Sequence, residues 1–300
     1  MSSQSIGVEI HPLGVRTARV STTSKGVQVQ QVGEAAFPEG KGLTSLRADR
    51  LPADIAALLE ARQFRGRATV VIVDDPSAFL STFDLAEGFT DELGASIKWY
   101  AEQYVPYPVD QAAVDFRVQD SPYGGHKGVQ LIAIDVAVLA KVMELLPPKR
   151  IKVQRVDGVP HALSRLYALL VAATGPAPAP AVLVHACGAS GYVVVTCGGV
   201  VETMRHVRLG VDAAVSLADK VRQTCQHYEV HHPTETVQAV YVTPATLARD
   251  GVQAGLGAGL GIEVKALDVT PHVVFGGGRD AAGAPEGWAD RFALAIGAAC

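Results

Sequence analysis

The chain has 300 residues, enough for two domains, and its 48% hydrophobic content can fill large cores. A net charge of −4 offers no basic face for nucleic acid. The four cysteines (Cys187, Cys197, Cys225 and Cys300) lack Cys-x-x-Cys spacing, which argues against a disulfide framework or a zinc site and for reduced, mostly buried thiols.

The opening MSSQSIGVEI lacks the basic and apolar regions of a secretory signal. Short apolar runs at 5–10, 15–21 and 27–35, joined by HPLG and TTSKG, predict a three-stranded meander. A helix is expected over 52–63, with Ile55, Leu58, Leu59 and Arg62 at helical spacing, and a buried strand over 68–73. Residues 90–104 predict a second helix, with Thr90 as its N-cap, Asp91 and Glu92 in the first turn and Pro106 ending it. Its apolar face is Leu93, Ile97, Ala101 and Tyr104. Strands are expected at 113–118 and 129–136, then helices at 136–146 and 159–171. Residues from about 86 to 152 read as a small α/β subdomain inserted into the first lobe.

The most apolar region, 167–184, is cut by Gly175, Pro176, Pro178 and Pro180, so it cannot be a membrane-spanning helix of about 20 residues. GPAPAPA (175–181) reads instead as a stiff hinge. Membrane association is then expected only through a partner or a segment outside this chain. A second meander follows at 181–186, 192–196 and 200–207, with CGASG and CGG as its turns. Gly-Val-Glu-Ile-His-Pro (7–12) can be laid over Leu-Val-His-Ala-Cys-Gly (183–188). A helix over 211–228 carries Val211, Val215, Ala218, Val221, Cys225 and Tyr228 on one face. Strands at 239–242 and 262–267 flank a helix at 245–253. The repetition predicts two related lobes, 1–175 and 176–300.

KWYAEQYVPYPVDQAAVDFRV (98–118) resembles a family segment of the form "ea-qyiPfp-ee---dy-v", and VQLIAID (129–135) resembles its "vllvaa" strand. RVDGVPHALSRLY (155–167), MRHVRLGVDA (204–213) and RFALAIGAA (291–299) resemble further elements of the same set. The chain is thereby similar to the PilM-like proteins of type IV pilus assembly, within the actin-like ATPase superfamily, and to their GspL-like relatives in type II secretion. The resemblance implies an α/β, two-lobed actin-like (RNase H-like) fold with a small α/β subdomain inserted in the first lobe.

A living nucleotide site on that fold needs an acid for Mg²⁺ and glycine turns whose amides approach phosphates. The family's first loop resembles "GiDiGss"; here the acid is Glu9, the glycine is His11, and Pro12 removes an amide donor. The second loop resembles "vDiGa-tt"; here His185 replaces the acid, followed by Cys187 and Gly188. The later Gly-Gly turn is Thr243-Pro244-Ala245. These residues predict a degenerate cleft, no cofactor and no hydrolysis; the alternative is an active ATPase with ATP and Mg²⁺ between the lobes, using Glu9 and the Gly188–Gly191 turn.

GLGAGLGIEV (255–264) mimics a phosphate loop but stands in the reverse order, after a helix and before a strand, and is expected to be a helix end and loop. GGG (276–278) reads as a flexible loop, and His231 and His232 as solvated. His185 and Cys187 share a strand face, but no further ligand follows at zinc-like spacing, so no metal is expected.

The resemblance implies a cytoplasmic scaffold, peripheral to the inner membrane, that binds the cytoplasmic tail of a bitopic inner-membrane pilus or secretion protein. Contact with a motor ATPase and a homodimer are further implied partners. An extended tail can lie in a groove between the first lobe and the insert. Tyr104, Tyr107 and Val109 are candidates to line that groove, against the plainer alternative that they pack the insert. A third reading is the cytoplasmic half of a longer protein: about 20 apolar residues soon after Cys300 would mark it as bitopic.

Overall fold

Two meanders organise the molecule, and their first strand pairs share one register. In the first, β1 (Ser3–His11), β2 (Gly14–Thr23) and β3 (Gly26–Ala36) pair antiparallel in chain order. In the second, β9 (Ala181–Cys187), β10 (Ser190–Cys197) and β11 (Val200–Arg208) do the same. When Gly7 is laid on Leu183, the closing pair His11–Gly14 falls on Cys187–Ser190. The bulge between Arg19 and Val20 then falls on the bulge between Val195 and Thr196. The computed structural model describes residues 3–23, 26–43, 53–60, 66–72, 78–85, 93–120, 127–146, 150–172, 179–197, 199–210, 213–248, 251–270, 273–275 and 287–300.

Each meander extends on the β1 or β9 side by parallel strands. β4 (Gly66–Ile72) pairs with β1 and β8 (Ile151–Gly158) pairs with β4; β12 (Ala239–Val242) pairs with β9 and β13 (Glu263–Ala266) pairs with β12. Strand alternation sends Ile6, Val8 and Ile10 to one face, against Ile55 and Leu59 of α1 (Ala53–Glu60), and leaves Gly7, Glu9 and His11 on the other. In the second lobe Val182 and Val184 pack with α5 (Ala213–His231). Its buried face is Leu217, Ala218, Val221, Cys225 and Tyr228. The expected Val215 is instead 60% exposed, and Val211 lies outside the described residues.

The insert is a sheet of β5 (Ala78–Leu85), β7 (Lys127–Asp135) and β6 (Ala112–Asp120), with β7 central. Ile97 and Ala101 of α2 (Leu93–Glu102) cover one face through Val129 and Leu131. The insert thus starts before residue 86, because the unpredicted β5 supplies one edge. It closes before 152, because α3 (Val136–Leu145) buries Val138, Val142 and Leu145 among the first-lobe residues Ile6 and Val8. Asp135 caps α3 by accepting from the Ala137 amide at 2.7 Å. The expected cap Thr90, with Asp91 and Glu92, lies outside the described residues.

The last part of the second half returns to the first lobe. β14 (Val273–Phe275) pairs with β3, and α9 (Ala293–Ala299), buried along its whole length, packs on β1 and on α4 (Val159–Tyr167). The expected helix at 159–171 is α4 followed by a π-helical turn over Ala168–Ala172. Two glycines set the approach of α9. A Cβ on Gly7 would overlap the Ala295 carbonyl oxygen, and one on Gly297 would overlap that of Ala162. Ser5 Oγ donates to the Ala299 carbonyl, and Arg165 Nε donates to that of Gly297 at 2.9 Å.

The helix expected at 245–253 is instead two: α6 (Pro244–Leu247) and α7 (Val252–Leu260). Gly255 and Gly257 stand inside α7, not in a loop. An added Cβ on Gly255 would meet the Ala214 Cβ of α5 at an ordinary 3.5 Å, and Val252 and Leu256 anchor α7 in the second-lobe core. Gly261 ends the helix in the left-handed region, φ 63°. A short helix α8 (Trp288–Arg291) leads into α9, and GGG at 276–278 lies outside the described residues.

Gly7→Ala is expected to cost about 2–3 kcal/mol by overpacking against α9. Gly94→Ala, at the exposed start of α2 with nothing within 4 Å, is expected to be neutral or to stabilise by up to about 1 kcal/mol. Urea unfolding of the two variants checks both values; equal effects would contradict the packing described for α9.

Candidate functional site

The first hairpin ends in a row of charges that crosses three strands. Glu9 on β1 lies opposite Arg16 on β2, which lies opposite Glu34 on β3. Arg16 Nη1 meets Glu9 Oε1 at 3.2 Å, and Arg16 Nε donates to Glu34 Oε1 at 2.8 Å. Arg291 of α8 donates to the other Glu34 oxygen. Glu9 is only 1% exposed, and burial raises its carboxyl from 4.5 to about 7 despite the pull of Arg16. His11, two residues along the same face, is buried as well, and burial with the adjacent Arg16 charge lowers its imidazole from 6.5 to about 4. The Leu13 amide donates to His11 Nδ1 at 3.3 Å, so the turn holds one residue without an amide hydrogen, Pro12, and one whose amide is already engaged.

The second hairpin presents His185, Cys187 and Gly188 at matching positions. His185 Nδ1 lies 3.0 Å from Thr243 Oγ1, which lies 2.8 Å from Thr246 Oγ1. Thr246 Oγ1 in turn accepts from the Ala186 amide at 2.7 Å. The row equivalent to Glu9–Arg16–Glu34 is His185–Tyr192–His206, with the Tyr192 and His206 rings 5.1 Å apart. Gly188 serves the turn itself, at φ 57°.

Sequence reading alone misses Arg16, Glu34, Arg291 and the two threonines. These are the residues that decide the chemistry. Mg²⁺ takes hard oxygen ligands in near-octahedral order, and phosphates take unengaged amides. Glu9 is buried against a guanidinium, the first turn has no spare amide at Pro12 or Leu13, and His185 is tied to Thr243. Thr243-Pro244, where a Gly-Gly turn would stand, starts α6. The residues at both loops therefore do not fit Mg-ATP. Among the described residues no group of three or more His, Cys, Asp or Glu side chains is arranged to hold a metal.

A second concavity lies where the insert, the first lobe and β11 meet. Its volume is about 340 Å³. β6 contributes Asp115 and Arg117, β7 contributes Gln130 and Ile132, β8 contributes Arg155 and Asp157, and α4 contributes His161 and Arg165. Gln130 Nε2 donates to the Val201 carbonyl and ties the insert to the second lobe. Asp157 is nearly buried, meeting His161 Nδ1 at 2.9 Å and Arg165 Nη1 at 2.8 Å. Burial would raise its carboxyl, but His161 and Arg165 outweigh burial and hold it at about 2. Tyr104, Tyr107 and Val109 do not line this cavity. Tyr104 stacks on Phe83 with ring centroids 5.3 Å apart, and Val109 packs with the α2 cluster on the other face of the insert sheet.

Glu9 and His11 oppose each other in acid. The Glu9 contribution to stability is complete below pH 4.5 and is lost as pH rises through 7. The His11 contribution is complete above pH 6.5 and is lost as pH falls through 4. Relative to the wild type, Glu9→Gln should gain stability as pH rises between these limits, and His11→Gln should gain it as pH falls. Urea unfolding across that range measures both; pH-independent differences would contradict the assigned burial.

No family model matches the sequence. Among solved structures, a chain of the PilM–PilN type IV pilus biogenesis complex superposes with a TM-score of 0.75 at 17% identity, over 99% of this chain and 98% of that one. The cytoplasmic domain of EpsL, an inner-membrane component of the type II secretion system of Vibrio cholerae, matches with a TM-score of 0.50 at 13% identity, over 80% of this chain and 82% of its own. A Bacteroides thetaiotaomicron protein with an actin-like ATPase fold and unknown function matches with a TM-score of 0.53 at 9% identity, over 90% and 92%. The chain thus has a two-lobed actin-like fold of the PilM-like kind.

Proposed function

We propose that the chain is a non-catalytic actin-like scaffold of a type IV pilus or related type II secretion assembly platform. It binds the cytoplasmic tail of an inner-membrane partner and stays on the cytoplasmic side, peripheral to the membrane. The observation that carries the non-catalytic part is the Glu9–Arg16–Glu34 row: the one acid at the first loop already has a cation as its partner. The partner part is supported by the likeness to a chain from a PilM–PilN complex and by the groove between β6 and β8. Both strands are sheet edges, so an extended segment can add main-chain contacts there. None of the helices described is long and apolar enough to cross a membrane, so a membrane link through such a tail suits these residues.

The purified chain, immobilised and exposed to detergent-extracted membranes of its source, should retain a single-pass protein. A synthetic peptide of that protein's short tail should bind one to one, and Ile132→Arg, in the groove wall, should weaken it at least about tenfold, or 1.4 kcal/mol. Circular dichroism confirms that the variant is folded. Tail binding unchanged by Ile132→Arg, or no membrane protein whose tail binds, would overturn the proposal.

A further inference from the structure

We infer that the groove reads a carboxylate: the extended segment it takes carries an Asp or Glu side chain seated between Arg117 and Arg155. The inference rests on the scaffold reading above and specifies the chemistry of its partner.

The cationic side chains lining the cavity are Arg117, Arg155 and Arg165, beside His161, and the anionic ones are Asp115 and Asp157. Asp157 is consumed internally: its two oxygens meet His161 and Arg165, and Oδ1 also accepts from the Gly158 amide at 3.0 Å. Asp115 Oδ1 accepts from the Phe116 amide at 2.9 Å. Neither Arg117 nor Arg155 makes an ion pair among the described residues. A third guanidinium, Arg165, is held by Asp157 and the Gly297 carbonyl, yet its buried Nη2 has no hydrogen-bond partner among the described residues. The three arginines exceed the two aspartates by one charge, and the surplus lies on the β8 and α4 bank, because Asp115 stands beside Arg117 on β6.

The placement of Arg117 and Arg155 matters. Arg117 stands on β6, an outer strand of the insert sheet, and Arg155 on β8, an outer strand of the first-lobe sheet. An extended chain entering between them meets backbone edges and one guanidinium from each side. Both are arginines, whose planar fork matches a carboxylate with two parallel hydrogen bonds. Charged residues on edge strands also deter unwanted strand pairing. That plainer role requires no preference among ligands, which separates the two by experiment.

The full chain is used to select random twelve-residue peptides by display, and binders are sorted by whether Ile132→Arg abolishes them. Groove binders should share an acidic residue at a fixed position. Replacing it by Gln or Asn should weaken binding about tenfold, and the double variant Arg117→Gln/Arg155→Gln should do the same for the acidic peptide while leaving the amide peptide unchanged. Binding of the acidic peptide should also fall with salt. Groove binders without an acidic residue would overturn the carboxylate inference and leave the scaffold reading standing. No groove binder at all would overturn both. Tight, arginine-dependent binding of succinate or inorganic phosphate with no peptide binder would make this a small-anion site and overturn the peptide assignment.

Discussion

Arg16 is the constraint on which the cleft depends. A carboxylate that is 1% exposed needs a counter-charge, and the β1–β2 register puts the Arg16 guanidinium directly opposite it. Arg16 is committed to Glu9 Oε1 and to Glu34, and Arg291 from the last part of the chain continues the row, while Glu9 Oε2 is buried without a hydrogen-bond partner among the described residues. Truncating one member leaves a buried ion unpaired, so the row is expected to be held more strongly than surface pairs are. A metal ion placed there would have to compete with a guanidinium that is covalently part of the wall.

The packing around this row fixes α9 against the first lobe. α9 sits between β1 and α4 because Gly7 and Gly297 remove the side chains that would hold it off, and Arg165 reaches from α4 to the Gly297 carbonyl. The same Arg165 meets Asp157 in the groove. One side chain of α4 thus links α9 and the wall of the cavity between the insert and the first lobe. Gln130 adds a tie from the insert to β11.

Much of this was legible in the sequence. The duplication seen by laying residues 7–12 on 183–188 is present in the strand registers, down to the bulges at Arg19/Val20 and Val195/Thr196. The actin-like fold and the PilM likeness followed from motifs and are matched by the superposition with the PilM–PilN chain. What stayed hidden depends on register and long-range packing. The β2–β3 turn alone would set Arg16 opposite Gly33; the bulge shifts the pairing by one residue and brings Glu34 into line. The glycines of α7 read as a loop because helix propensity disfavours them, and the helix forms through the burial of Val252 and Leu256 against α5 and its sheet. Arg291 lies 257 residues from Glu34, beyond any local pattern.

The pairing of Glu9 with Arg16 and the want of a free amide at Pro12 and Leu13 support the proposal that the interlobe cleft does not take Mg-ATP. Isothermal titration of the full chain with ATP and Mg²⁺ tests it most directly. The account predicts no saturable heat at concentrations up to the millimolar range. Magnesium-dependent binding in the micromolar range, weakened by Glu9→Gln, would contradict it.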